Sequence, residues 1–395
     1  MRDFSSGELD GLLGIDFAVW NWSKPQLYGI CLGMFVRNGL IPSSTALARL
    51  LDFIVDMAAG YFDNAYHSFL HAVDVTYMVY WSLVDLELAE KLQFSTVDFV
   101  AILIAALAHD VLHPGFNNLY QINAKTDVAS KYDNKSVLEM QSCDHLSALL
   151  AKHSCLSGLE YGEVASHLVD IPKIIENIAI EAILHTDMCH HFELLEKLSF
   201  TAEEVIGPTD DSVESTSEEK LGQSESDEVP GELRMTQSPS FAKSESREGL
   251  MSAESLNAAD AKPDDSVLEP PSSDDSNQGE GLAMVGVITP QHRQIMTNAI
   301  LHAADISNAA RPLEICKRWA DMVAEEFFLQ GEQERRTGLP VTPSMDRDSI
   351  SPAQIGFDFN TYIARPYFEV LAEIFPTTRC LAENLISNRN TWENM

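Results

Sequence analysis

The sequence predicts an all-α fold, a compact multi-helix bundle interrupted once by a segment that forms no helix. Three observations carry that prediction. Apolar residues recur at three- and four-residue steps wherever the sequence is not low in complexity, no run alternates apolar with polar residues around a tight turn, and helix-start residues precede the periodic stretches. A chain of 395 residues with 45% hydrophobic side chains is long and apolar enough to bury a core.

In chain order, residues 1–40 are read as a short N-terminal segment. From Pro42 to Phe62, the residues Leu47, Leu50, Leu51, Ile54, Val55, Ala58, Tyr61 and Phe62 predict an amphipathic helix with Ser43 and Ser44 as candidate caps. The run "FVAILIAALA", Phe99 to Ala108, has about half the length of a membrane span, so it predicts a helix buried in the core. Ile174, Ile175, Ile178, Ile183 and Leu184 mark another. Thr289 followed by Pro290 starts a helix that Ile295, Met296, Ala299, Ile300 and Ala303 carry to Asp305, and Trp319, Met322, Val323, Phe327 and Phe328 mark one more. Residues 205–285, rich in Ser, Glu, Asp, Gly and Pro, bury too little apolar area to offset their chain entropy and are predicted to be a disordered acidic insertion. Loop closure costs rise slowly with length, so 41–204 and 286–395 are expected to form one discontinuous domain.

The net charge is −34, and residues 203–280 alone hold 21 acidic against 5 basic side chains. An acidic chain is repelled by nucleic acid and by anionic membranes, so neither is expected as a partner. Six cysteines (Cys31, Cys143, Cys155, Cys189, Cys316, Cys380) show no CxxC spacing and follow no secretory leader, which predicts reduced thiols and a cytoplasmic location.

The apolar run ends in "LAHDVLHPG", which places His109, Asp110 and His113 where burial is costly unless each finds a partner. Two further stretches carry similar residues at helical spacing. In "YHSFLHAVDV", His67 and His71 are four apart and so are expected on one helical face, with Asp74 three beyond; in "ILHAADISN", His302 and Asp305 are three apart. Taken singly, each histidine reads as a hydrogen-bonded core residue. Jointly, two imidazoles and two carboxylates form a mixed donor set suited to zinc or another divalent first-row metal. Adjacent His109 and Asp110 diverge on a helix and reach one ion most easily where the helix ends, which Pro114 and Gly115 are expected to enforce.

Seven short blocks occur in order: "YHSFLHAVDV", "AHDVLHPG", "SVLE", "HTDM", "HAADISN", "EEFF" and "QIGF". As a set they resemble the catalytic domain of the class I cyclic nucleotide phosphodiesterases, within the wider HD metal-dependent phosphohydrolases, from about residue 40 to the end. The resemblance implies that His71, His109, Asp110 and Asp305 ligate a first metal, normally Zn2+. It implies that Asp110 bridges to Mg2+ or Mn2+, whose waters are held by His113, Glu139 and Thr186. It makes His67 the general acid that protonates the leaving O3′ as a bridging hydroxide attacks phosphorus, with Glu326 orienting His67. Gln354 would hydrogen-bond the purine, Phe357 and Val323 would clamp its faces, and Asn308 would sit at a base edge and favour cAMP. Cys316 and Trp319 border that pocket or simply pack in the core.

Some features depart from the family pattern. Ser68 stands where "YHN" has asparagine, and Met140 and Gln141 stand in "VLEMQS" where "VLENHH" is usual. N-terminal regulatory modules are expected to be absent, and the acidic insertion looks more like that of fungal members. Ser238–Pro239 and its neighbouring serines are candidate phosphorylation sites on that insertion, against a passive loop as the plain reading. The alternatives to a cyclic nucleotide phosphodiesterase are another HD-type nucleotide phosphohydrolase, which would lack "QIGF", and a catalytically silent binder, which would have lost a ligand or His67.

Overall fold

The computed structural model describes residues 14–162, 170–206 and 287–395. Its helices of eight residues or more are α1 (Lys24–Arg37), α2 (Ser44–Ala59), α3 (Phe69–Val84), α4 (Thr96–Ala108), α5 (Val137–His153), α6 (Ile171–Leu184), α7 (His191–Ile206), α8 (Pro290–Asp305), α9 (Leu313–Thr337), α10 (Pro352–Phe359), α11 (Arg365–Ile374) and α12 (Arg379–Glu393). Among the described residues there is no strand. Beyond the last turn of α7, the acidic stretch from 205 to 285, with Ser238–Pro239, lies outside the described residues.

The apolar run becomes the central helix. Ser95 accepts from the Asp98 backbone N–H while the Asp98 carboxylate accepts from the Ser95 N–H at 2.8 Å, so both ends of a capping box start α4. Every residue from Val97 to Ala108 is buried, and α3, α6 and α8 pack around the helix. No helix of the described residues is long and apolar enough to cross a membrane. Ser43 caps α2 and Thr289 caps α8 as the sequence implies. The buried face of α2 is rotated from the predicted one, however: Ala46, Leu50, Phe53, Ile54, Met57 and Ala58 are buried, whereas Leu51, Val55 and Phe62 are exposed. Phe53 and Met57 lie at helical steps from Leu50 and compete with Leu51 and Val55 for the inward stripe. Residues 14–40 share the main core, with Phe17, Val19, Leu27, Ile30 and Phe35 in the same apolar cluster as α4.

Two backbone approaches shape the region around the predicted ligands. A Cβ on Gly60, which ends α2, would lie 2.6 Å from Val111 Cγ2 and 2.9 Å from His145 Nε2. Only glycine lets α2 end so close to the turn after α4. Leu112 takes φ +67° there, and its N–H donates to the Gly60 carbonyl at 3.1 Å.

Candidate metal centre and proton-donor pair

Three helix ends deliver the metal-type side chains. His71 projects from the first turn of α3, His109 and Asp110 follow the last residue of α4, and Asp305 closes α8. The helix of the apolar run stops at Ala108, well before Pro114; a turn over residues 109–112 separates His109 from Asp110 in direction and brings both to one point. Gln141 Nε2 donates to the Leu112 carbonyl at 3.0 Å and Ser142 Oγ to the Val111 carbonyl at 2.9 Å, so residues of the departing "VLEMQS" block hold that turn.

The ligand atoms of His71, His109, Asp110 and Asp305 all lie within 4.8 Å of one another. His71 Nε2 is 2.9 Å from Asp305 Oδ1 and 3.5 Å from Asp110 Oδ2, while His109 Nε2 is 3.0 Å from Asp110 Oδ2 and 3.3 Å from Asp305 Oδ1. His109 Nδ1 donates to the Ala106 carbonyl at 2.9 Å, which leaves Nε2 facing the carboxylates as the atom that could ligate a metal. Burial opposes a charge on His109, but Asp110 and Asp305 outweigh it and raise its pKa well above the ordinary imidazole value. Burial likewise opposes the negative charge on both carboxylates, yet the imidazoles, His109 foremost, pull them below the usual range. A proton on His109 thus occupies the position of a cation, and a divalent ion fits the same donors by displacing it.

His67 does not share a helical face with His71, because α3 begins only at Phe69 and Ser68 is its N-cap. The preceding loop is held otherwise. Glu326 Oε2 accepts from the backbone N–H groups of Tyr66 (2.8 Å) and His67 (3.0 Å), and Asn64 Nδ2 donates to the carbonyls of His67 (2.8 Å) and His113 (2.7 Å). The second Glu326 oxygen accepts a hydrogen bond from His67 Nδ1. Burial favours neutral His67, but Asp110 and Glu326 more than offset it and raise its pKa to about 9. Burial is the largest single influence on Glu326 and raises its pKa, but the charge and hydrogen bond of His67, with His113 and the Tyr66 N–H, together outweigh it and bring it to about 2.

His113 stacks on His67 with ring centroids 3.9 Å apart. Its Nδ1 accepts from the Gly115 N–H at 3.1 Å, and burial followed by the facing His67 charge lowers its pKa to about 3. Glu139 accepts from Asn118 Nδ2 at 2.9 and 3.2 Å. Burial, and after it the charge of Asp187, raises the Glu139 carboxyl to about 8, with Asp110 adding to the effect. Carboxylates crowded in this way fit a second cation nearby. Thr186 Oγ1 donates to the Ile183 carbonyl at 2.8 Å.

The predicted base pocket lies on α9 and α10. Gln354 is exposed and donates from Nε2 to Asp358 Oδ1 at 2.7 Å, Phe357 is half-buried under the Arg389 guanidinium at 5.3 Å, and Val323 is half-buried three residues before Glu326. Asn308 is buried and donates to the Tyr66 hydroxyl. Cys316 and Trp319 are buried in the core. Asp74 and His302 belong to other pairs: Asp74 meets Arg311 at 3.2 Å, and His302 Nε2 lies 2.8 Å from His191 Nδ1.

The model of the family described as 3′5′-cyclic nucleotide phosphodiesterase matches residues 66–385. The chain belongs to that family. Among the similar phosphodiesterases, regA of Dictyostelium discoideum, a 3′,5′-cyclic-nucleotide phosphodiesterase, is 27% identical over 96% of this chain and 37% of its own length. The human high affinity cGMP-specific 3′,5′-cyclic phosphodiesterase 9A is 26% identical over 96% of this chain and 49% of its own. The chain therefore spans half or less of the length of these two relatives. The phosphodiesterase domain of the RhoPDE fusion protein from Salpingoeca rosetta shares the fold with a TM-score of 0.67 at 22% identity, covering 99% of this chain and 97% of that one. LmjPDEB1, solved with IBMX, gives 0.68 at 21%, covering 97% and 92%.

Within this phosphodiesterase frame, sequence reasoning missed Asn64, Asn118 and Asp187. Asp187 stood beside Thr186 in "HTDM" and was readable as a carboxylate of the same block; the two asparagines carried no spacing signal. Ser68 Oγ is buried without a hydrogen-bond partner, so although Ser68 is the N-cap residue of α3 its hydroxyl makes no cap bond.

Proposed function

We propose that this chain hydrolyses the 3′,5′-cyclic phosphate of a purine nucleotide, cAMP in preference, to the 5′-monophosphate and so ends a cyclic nucleotide signal. The observation that carries the reading is the convergence of His71, His109, Asp110 and Asp305 beside the His67–Glu326 pair. His71, His109, Asp110 and Asp305 would hold the first ion, Zn2+, which suits two imidazoles and two carboxylates; Asp110 and Glu139 would serve the second, Mg2+ or Mn2+. When bound, such ions supply positive charge to the phosphoryl oxygens and lower the pKa of water.

The chain's own residues do the rest. Asp110 and Asp305 stay ionised at neutral pH, so only the His109 proton has to leave the ligand set when an ion is taken up. Glu326 holds Nδ1 of His67, which directs the proton on Nε2 away from Glu326 and toward a leaving O3′. Hydrolysis breaks the P–O3′ bond, and that proton neutralises the alkoxide; general acid help of this kind is worth about 10²- to 10⁴-fold. His113 takes the Gly115 N–H at Nδ1, so its own proton sits on Nε2 and serves as a neutral donor to water or phosphate.

Asp358 supports the choice of adenine. It accepts from the Gln354 amide nitrogen, which leaves Oε1 available to meet position 6 of a purine. With Oε1 turned to that position it accepts from the adenine amino group and repels a guanine carbonyl. Asn308, fixed by the Tyr66 hydroxyl, supports the same choice. Six free cysteines support a cytosolic setting. Purified protein loaded with metal is assayed with cAMP and cGMP. Formation of 5′-AMP with the larger kcat/KM is expected; folded, metal-loaded protein that opens neither cyclic phosphate would refute the activity, and a preference for cGMP would refute the choice of base.

A further inference from the structure

The sequence sets residues 1–40 apart from the ligand-bearing domain, yet Ile15–Trp20 reaches the metal centre by two separate routes. The first runs through Arg311, which is fully buried six residues after Asp305. Its Nε donates to the Ile15 carbonyl at 2.7 Å, its Nη2 donates to the Phe17 carbonyl, and its Nη1 meets both Asp74 oxygens at 3.2 Å. Asp74 lies three residues beyond His71 on α3, within one turn. The second route is aromatic. Trp20 meets Trp319 edge-on with ring centroids 5.4 Å apart, and Trp319 meets His71 at 5.9 Å and Tyr66 at 5.6 Å, again edge-on. The Arg318 guanidinium covers the Trp20 ring at 4.1 Å and holds it in place from outside.

A ligating imidazole must present its nitrogen in one direction. Backbone position alone leaves the ring free to turn, so its neighbours decide how firmly it is aimed. Tyr66 lies along His71 at 4.4 Å and Trp319 abuts it on another side. Trp319 has no exposed surface, and Trp20 is the aromatic wall that the N-terminal segment adds behind it.

We infer that Trp20 is a positioning residue for the metal centre: it backs Trp319 and thereby keeps the His71 ring in its ligating direction. The inference rests on the reading of His71 as a metal ligand. The wild-type chain, Trp20→Ala, Trp20→Phe and Leu50→Ala are loaded with zinc, and release to a chromogenic chelator is timed; urea midpoints of the metal-free proteins are measured alongside. Trp20→Ala is expected to release zinc about 10-fold faster, the lower end of what loss of an outer support costs a metal site. Trp20→Phe keeps an aromatic edge and stays near wild type. If Trp20→Ala does not fold, Trp20→Leu fills part of the volume without the aromatic edge and is compared in the same way.

Wild-type protein that takes up no zinc overturns the ligand reading, and the inference with it. Wild-type uptake with an unchanged release rate in Trp20→Ala overturns the inference alone. So does Leu50→Ala, a core truncation on α2, if it speeds release as much for the same loss of urea midpoint, because general loosening then accounts for the effect.

Discussion

Replacing Glu326 by Gln keeps the size of the side chain and removes its charge, which isolates what that carboxylate does for His67. Burial works against the imidazolium, and the pKa of about 9 reflects Asp110 and Glu326 acting together. A divalent ion at Asp110 cancels most of the first contribution, so in the loaded enzyme Glu326 is the carboxylate that keeps His67 charged. Losing a neighbouring opposite charge and its hydrogen bond lowers an imidazole pKa by about 1–2 units, equal to about 1.4–2.7 kcal/mol of preference for the charged form. The sign follows from the active form. Protonated His67 donates to O3′, so activity is lost as pH rises through its pKa, and a lower pKa brings that loss to lower pH. The pH profile of kcat for Glu326→Gln should show its alkaline limb displaced by about 1–2 units toward acid, with a 10- to 100-fold deficit on that limb and a smaller one near pH 6. KM should change little, because the Glu326 oxygens are taken up by Tyr66 and His67. An alkaline limb that stays where the wild type has it would refute the reasoning.

His109→Ala and Asp305→Asn each remove a donor from the quartet and should abolish zinc content and lower turnover by about 10²-fold or more, read by metal analysis and by assay in parallel; full activity in either would show that the ligands lie elsewhere. Gly60→Ala drives a methyl to 2.6 Å from Val111 and should cost about 1–3 kcal/mol of stability in chemical denaturation, unless Val111 and His145 move aside freely. Asp358→Ala releases the Gln354 amide, so the ratio of kcat/KM for cAMP over cGMP should fall toward unity while zinc content stays constant; an unaltered ratio would mean that another residue sets the amide.

Much of this was legible because helices write their contacts locally. The capped starts at Ser43 and Thr289, the burial of Val97–Ala108 and the placement of His109, Asp110 and Asp305 at helix ends all follow from short-range patterns. The errors fell where a longer-range contact outweighs the local one. His67 and His71 have helical spacing, but Glu326, 259 residues away, captures the backbone N–H of His67 and the helix starts later. Asp74 shares the periodicity of His71 without being among the expected ligands, and a buried guanidinium claims it. On α2 the inward face turns from Leu51 and Val55 toward Phe53 and Met57.

The sequence by itself determined an all-α chain, its principal helices and a family whose motifs single out His71, His109, Asp110, Asp305 and His67, because periodicity, caps and motif spacing depend on residues within a few turns of one another. Tertiary structure alone decided that His113 stacks on His67, that Asn118 and Asp187 surround Glu139, and that Ile15–Trp20 reaches the wall behind His71. Those contacts join segments far apart in the chain. Their partners are selected by shape and charge in the assembled core, and no local spacing records them.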